Sequence, residues 1–248
     1  MTLGVQLYTL RSAFERDVPR TLAGLSGLGV RCVELAGTYG HAPSEFRLML
    51  DDAGLSAVGT HMGLDALGER LPQTLEDARA LGCRYVVLPW IGGEDHADGW
   101  AAFGRRLEGI GRLVCAGGFV FAYHNHAFEL VVEGASTGLE TLFASCDASI
   151  VQAEIDVAWV YHAGYDPAQM VRSLAGRVPL VHLKDFTDDP NALDIEAGKG
   201  ALDWDSVLAA CAESNVEYGI IELDHPPKAP LESVRECLEY FRGRGMEG

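Results

Sequence analysis

Short, β-rich apolar runs alternate eight times with longer amphipathic stretches, and that alternation restricts the fold more than any other property of the chain. Such a pattern builds a parallel sheet from βα units. Strands are expected at 3–8, 31–35, 56–61, 85–89, 119–124, 150–156, 180–184 and 218–223. Helices are expected at 16–28, 44–53, 71–81, 99–116, 136–144, 167–175, 205–213 and 231–240. Gly29, Gly54, Gly82, Gly117 and Gly176 follow five of these helices, where a left-handed glycine closes the last turn. Eight units over 248 residues average about 31 residues each, the size of one repeat in a (β/α)8 TIM barrel. A doubly wound open sheet would usually carry a glycine-rich phosphate loop after its first strand. The first strand is followed instead by Leu7-Tyr8-Thr9-Leu10-Arg11. No linker or low-complexity stretch interrupts the pattern, so a single α/β barrel domain over residues 1–248 is expected.

Composition narrows the function classes. The chain is 48% hydrophobic and carries 36 acidic against 19 basic residues, a formal net charge of −17. A protein that tracks phosphates needs a cationic footprint, and no basic run exceeds Arg105-Arg106. Nucleic acid is therefore excluded as the expected partner. The six cysteines form no CxxC pair and read as free, mostly buried thiols. No apolar run approaches the ~18 residues that span a bilayer, and the N-terminus lacks a signal-peptide pattern. A cytoplasmic protein with no membrane partner is expected.

A barrel gathers its active site at the C-terminal ends of its strands. His61, His124, His126, His182 and His225 fall at or just past expected strand ends, five of the eight histidines. The expected sixth strand ends Glu154-Ile-Asp156, and the eighth runs on to Glu222-Leu-Asp224. Residues two apart on a strand face the same side. Carboxylate pairs in apolar strands bury charge that a cation must receive, and imidazole plus carboxylate suits a divalent metal. Singly, Asp156 reads as a helix cap or a salt-bridge partner, His182 as a satisfied core histidine, Glu222 as a partner for Arg or Lys, and Tyr123 and Trp159 as packing walls. Jointly, the last four strands each supply an acid or a histidine at one level. Only three of the basic residues are lysine, and two of them, Lys184 and Lys199, lie in strand seven and the loop after it. The glycines of Gly198-Lys199-Gly200 would let backbone approach a ligand closely.

These residues, in this order, resemble the sugar phosphate isomerase/epimerase family of the xylose isomerase-like TIM barrel superfamily, related to inosose dehydratases and ketose 3-epimerases. The resemblance rests on Gly4-Val-Gln-Leu-Tyr8, Tyr123-His-Asn-His126 with Phe128-Glu129, Glu154-Ile-Asp156 with Trp159, His182-Leu-Lys-Asp185, Gly198-Lys-Gly200 with Leu202-Asp-Trp204, and Glu222-Leu-Asp224 before Pro226-Pro227. It implies one divalent ion (Mn, Mg, Co or Zn) held by His124, Asp156, His182 and Glu222. His124 stands where the family carries a glutamate, with Glu129 and Glu154 as alternative ligands. It also implies a sugar, keto-sugar or polyol substrate and an isomerase or epimerase activity through proton abstraction next to a carbonyl. Glu154 is the first choice as base and Glu222 the second. Lys184 would polarise a carbonyl, and Tyr8, His61, His126, Trp159 and Lys199 would bind substrate. A dehydratase of the inosose type would use the same site. A non-catalytic binding barrel and a nuclease of the endonuclease IV type are the readings of other classes. A homodimer is compatible with all of these.

Overall fold

In the computed structural model, residues 1–189 and 194–247 are described; positions 190–193 and 248 of the expected domain lie outside them. Eight parallel strands close into a barrel. They are β1 (Thr2–Gln6), β2 (Cys32–Leu35), β3 (Ser56–His61), β4 (Tyr85–Leu88), β5 (Val120–His124), β6 (Val151–Asp156), β7 (Leu180–Leu183) and β8 (Tyr218–Ile221). Strand β1 pairs with both β2 and β8, so no edge is left open. Outside pack α1 (Val18–Gly27), α2 (Pro43–Asp52), α3 (Leu71–Leu81), α4 (Trp100–Ala116), α5 (Gly138–Ala144), α6 (Pro167–Ser173), α7 (Trp204–Glu213) and α8 (Pro230–Arg242). The expected (β/α)8 barrel is the fold.

Local chemistry sets the helix starts. Asp17 accepts from the Arg20 N–H at 2.9 Å ahead of α1. Thr137 and Glu140 cap one another at the head of α5. Four of the five glycine stops are left-handed, but the one expected at Gly117 falls on Gly118, at φ +89°. Gly117 has helical dihedrals and donates to the Leu113 and Val114 carbonyls, so α4 winds one residue further before it turns.

Strands β1, β4, β7 and β8 end earlier than expected, while β2, β3, β5 and β6 end where the pattern put them. Gln6 accepts from the Tyr8 N–H and turns Leu7–Leu10 into a short 3-10 helix. Pro89 has no N–H for the ladder. Leu223 N–H goes to the Thr9 hydroxyl at 3.0 Å rather than to a neighbouring strand. Consequently Lys184, Glu222 and Asp224 sit just above the ladder, at the mouth.

Two apolar layers frame that mouth. The main core lies between barrel and helices, and a small plug of Tyr85, Val87, Ala122 and Leu180 fills the barrel's lower interior. Each fully buried Val, Leu or Phe contributes roughly 1.5–3 kcal/mol. Above the plug the interior turns polar.

Candidate active site

Strand register brings the polar side chains together. His124 lies beside Glu154, Asp156 beside His182, and Gln6 beside Glu34. Alternation along β7 and beyond sends Leu180, His182 and Lys184 inward on successive levels, from plug to polar layer to mouth. Gly59 faces Glu34 across β2 and β3, where a side chain would press on the Glu34 carboxylate.

The deep half of the polar layer is a ring of imidazoles around two carboxylates. Glu154 Oε2 lies 3.0 Å from His61 Nε2, 3.2 Å from His124 Nδ1 and 3.3 Å from His182 Nε2. Glu34 Oε2 lies 2.9 Å from His182 Nε2 and 3.1 Å from His61 Nε2, and accepts from Gln6 Nε2 at 2.8 Å. Both glutamates are fully buried.

The mouth half is built around an ammonium. Lys184 Nζ lies 2.7 Å from Asp224 Oδ2, 2.9 Å from Glu222 Oε2 and 3.2 Å from Asp156 Oδ2. His182 joins the halves, its Nδ1 being 2.8 Å from Glu222 Oε2. Asp156 also caps the short helix Val157–His162, its Oδ1 accepting from the Ala158 and Trp159 N–H groups at 2.9 and 3.1 Å.

Burial and neighbouring charge pull these groups apart. Burial opposes the Glu222 charge, but Lys184 and His182 outweigh it and hold the carboxyl well below its usual range. Burial likewise opposes ionised Glu154, and the three histidines, His182 foremost, overrule it. Burial lifts Asp156 to about 6 in spite of Lys184. The Lys184 charge is opposed by burial and outweighed by its three carboxylates, so its pKa stands well above the ordinary lysine value. His61 goes up to about 10 because Glu34 and Glu154 overcome its burial. Burial, with positive charge on neighbouring histidines, drives His124 down to about 4 and His126 to about 3.

Two sets of donors, each within 4.8 Å of one another, match a divalent ion: His61, His124, Glu154 and His182, and His124, Asp156, His182 and Glu222. The donor chemistry fits. Glu34 Oε1, Glu154 Oε1, Asp156 Oδ2 and His124 Nδ1 are buried without an aligned hydrogen bond, the last two having only ion-pair proximity to Lys184 and Glu154.

A cavity of about 420 Å3 opens above the cluster, lined by Tyr8, His61, Trp90, His124, His126, Glu222 and Asp224, with Ala36 and Pro89. A larger groove of about 630 Å3 lies on the flank between Tyr161 and Val207 and contains none of these residues. The smaller cavity is the one over the chemistry. Three of the five expected rim histidines, His61, His124 and His126, line it and His182 is fully buried in the cluster; the His225 side chain is 82% exposed and 3.7 Å from Asp194. Trp159 is not among the lining residues; its ring centroid lies 5.6 Å from Lys184 Nζ and 5.4 Å from the His126 ring.

Lys199 is not at the cavity. It pairs with Glu236 and, at 3.2 Å, with Glu196, on a half-exposed strap to α8. The glycines beside it wrap a side chain rather than a ligand. Gly198 and Gly200 N–H groups donate to Asp185 Oδ2 at 2.8 and 3.2 Å, and Trp204 Nε1 donates to the same oxygen at 2.8 Å. A Cβ on Gly200 would collide with that carboxylate, and Gly198 needs φ +81° beside the Tyr240 ring.

Sequence reading missed Glu34, Gln6 and Trp90. Glu34 is a lone acid in an apolar strand, the same signal that marked Glu154. Trp90 stands two residues past β4 and is 58% exposed at the rim.

A closed barrel with a histidine–carboxylate layer under its mouth defines the class. The family model described as xylose isomerase-like TIM barrel matches residues 22–243, and the chain belongs to that family. It is 25% identical to an inosose dehydratase of Geobacillus kaustophilus, over 90% of this chain and 85% of that protein. It superposes on a sugar phosphate isomerase/epimerase of Parabacteroides distasonis with TM-score 0.85 at 20% identity, covering 97% of each chain. It also superposes on an IolI protein carrying a zinc atom, with TM-score 0.74 at 14% identity, covering 98% of this chain and 97% of that one. These two structures share the fold.

Proposed function

We propose that the chain is a metal-dependent isomerase or epimerase that removes a proton next to a carbonyl in a sugar, keto-sugar or related polyol. One observation carries the reading. Glu222, lining the cavity, has its Oε2 held by both Lys184 at 2.9 Å and His182 at 2.8 Å. The carboxylate is thus kept ionised, able to accept a proton, beside a fixed positive charge.

Glu222 rather than Glu154 is the base in this reading, because Glu154 is enclosed by three imidazoles and does not line the cavity. Lys184 supplies positive charge next to the oxygen on which the enediolate develops. His61 and His126 orient hydroxyls, and the exposed faces of Trp90 and Tyr8 cover the carbon skeleton. A divalent ion on His124 and His182, the two residues common to both donor sets, would act as a Lewis acid toward substrate oxygens.

Dehydration of a keto-polyol begins with the same proton abstraction, and the likeness to an inosose dehydratase across 90% of the chain supports it as the second reading. Incubating the metal-loaded protein with keto-sugars and inososes in heavy water, followed by NMR, tests both. Isomeric product carrying deuterium next to the carbonyl supports the first reading. Loss of water from the product supports the second. No conversion and no exchange across the panel rejects the enzyme.

A further inference from the structure

Barrels of this architecture frequently receive a substrate's phosphate on the loops that follow their seventh and eighth strands. Here the donors of those loops are taken by the chain itself. After β7, the Gly198 and Gly200 N–H groups and Trp204 Nε1 converge on Asp185 Oδ2 at 2.8, 3.2 and 2.8 Å, and the Leu202 N–H reaches Asp185 Oδ1 at 3.4 Å. Converging backbone N–H groups make an anion site, and a buried carboxylate of the chain already fills this one. After β8, the Leu223 N–H goes to the Thr9 hydroxyl at 3.0 Å and the Asp224 N–H to Asp194 Oδ1 at 2.9 Å.

The cations near the mouth are committed too. Lys199 and Lys228 share Glu236, and Glu196 lies 3.2 Å from Lys199. Lys184 is held by Asp224 at 2.7 Å, Glu222 at 2.9 Å and Asp156 at 3.2 Å. Arg11 lies over the Tyr8 ring, 4.1 Å from its centroid, and donates to the Tyr8 carbonyl at 3.0 Å. The cavity wall itself has two carboxylates, Glu222 and Asp224, and no lysine or arginine.

We infer that the substrate of this cavity is unphosphorylated, and that Asp185 and Asp194 help to exclude a phosphate by occupying the donors that would receive it. This rests on the sugar or polyol reading above and narrows its class. A phosphate monoester brings about two negative charges. Against this wall it meets Glu222 and Asp224 as like charges, with neither an uncommitted cation nor an open nest of N–H groups in return. A hydroxylated ring fares better, since the same wall offers imidazoles and carboxylates to its hydroxyls and the Trp90 and Tyr8 rings to its carbon face.

Matched pairs test the inference: fructose against its terminal phosphate ester, xylulose against its own, and an inosose against an inosose phosphate. Each is titrated calorimetrically into the metal-loaded protein and assayed for proton exchange in heavy water. The unphosphorylated member of at least one pair should bind, and its ester should bind about 100-fold more weakly or not at all. Inorganic phosphate in millimolar excess should leave that binding unchanged. An ester that binds as tightly as its parent, or displacement of the parent by inorganic phosphate, overturns the inference while exchange on either member keeps the proton-abstraction reading. Selective binding of the unphosphorylated member without exchange does the reverse, supporting the inference and rejecting that reading. Binding of no member of any pair overturns both.

Discussion

The two halves of the polar layer face the same problem and answer it differently. At the mouth, three carboxylates surround an ammonium that the chain itself supplies. Below, Glu34 and Glu154 meet imidazoles and the Gln6 amide rather than an ammonium. One lysine holds the mouth carboxylates around it without matching all three charges, whereas the lower pair is held by uncharged or shared-proton partners. A third buried acid shows the remaining solution. Glu129 is fully buried, accepts from the Tyr123 hydroxyl at 2.8 Å and the His126 N–H at 2.9 Å, and has no cation beside it; burial raises it to about 7.

The largest effect should come from removing the chain's own cation. Lys184→Met leaves buried Asp156 and Glu222, and the partly exposed Asp224, without their shared cation, a change that costs about 3–5 kcal/mol when one partner of a buried pair is lost. Urea denaturation reads it directly. A loss under about 1 kcal/mol would mean the ammonium is not what holds these carboxylates together.

Glu129 should make stability depend on pH in the opposite sense to an ion-paired carboxylate. Its folded pKa, about 7, stands above the ordinary 4.5, so folding takes up a proton between these values. The contribution is fully present below about 4.5 and is lost as pH rises through about 7. The span corresponds to roughly 3 kcal/mol. Unfolding free energies of wild type and Glu129→Gln at pH 5 and pH 8 isolate it, since other groups titrate in both. Equal pH dependence in the two proteins would show that Glu129 is ionised throughout.

Glu222→Gln keeps the shape of the mouth but cannot accept a proton. On a substrate that wild type converts, kcat should fall by ~10²-fold or more, the usual contribution of a positioned base. Cobalt content measured on the same variant separates base from ligand, since Glu222 belongs to one of the two donor sets. A similar fall in Glu154→Gln that excess metal reverses would place that residue on the metal side of the comparison.

How much of this was legible in sequence follows the same division. Helix limits were readable where glycine, proline or a capping side chain acts locally, and α3 is found where the pattern put it, at Leu71–Leu81. Asp156, His182 and Glu222 were readable because charge in an apolar strand needs a partner. Glu34 carried that signal too, but Cys-Val-Glu-Leu is so short that one acid reads as ordinary alternation, and its partner His182 is 148 residues away. The contrast between the halves was beyond reach, since no spacing rule says which carboxylates surround Lys184. Trp90 belongs to no periodic face. Lys199 misled for a physical reason: glycines flanking a lysine look alike whether the backbone wraps a ligand or, as here, Asp185.

That last point defines the smallest expected effect. Lys199 is half exposed and shares Glu236 with Lys228, which lies 2.6 Å from that carboxylate. A surface ion pair of this kind contributes about 0–1 kcal/mol, and the second lysine covers part of the loss. Lys199→Ala should therefore lower stability by less than about 1 kcal/mol and leave KM for the converted substrate within about twofold of wild type. The neighbouring Gly200→Ala gives the contrast. Its new methyl group would displace the Asp185 carboxylate that three backbone and side-chain N–H groups hold, so it should destabilise the loop well beyond Lys199→Ala. A tenfold rise in KM for Lys199→Ala with unchanged stability would return the lysine to the substrate site, and would mean that the strap opens toward the mouth when substrate binds.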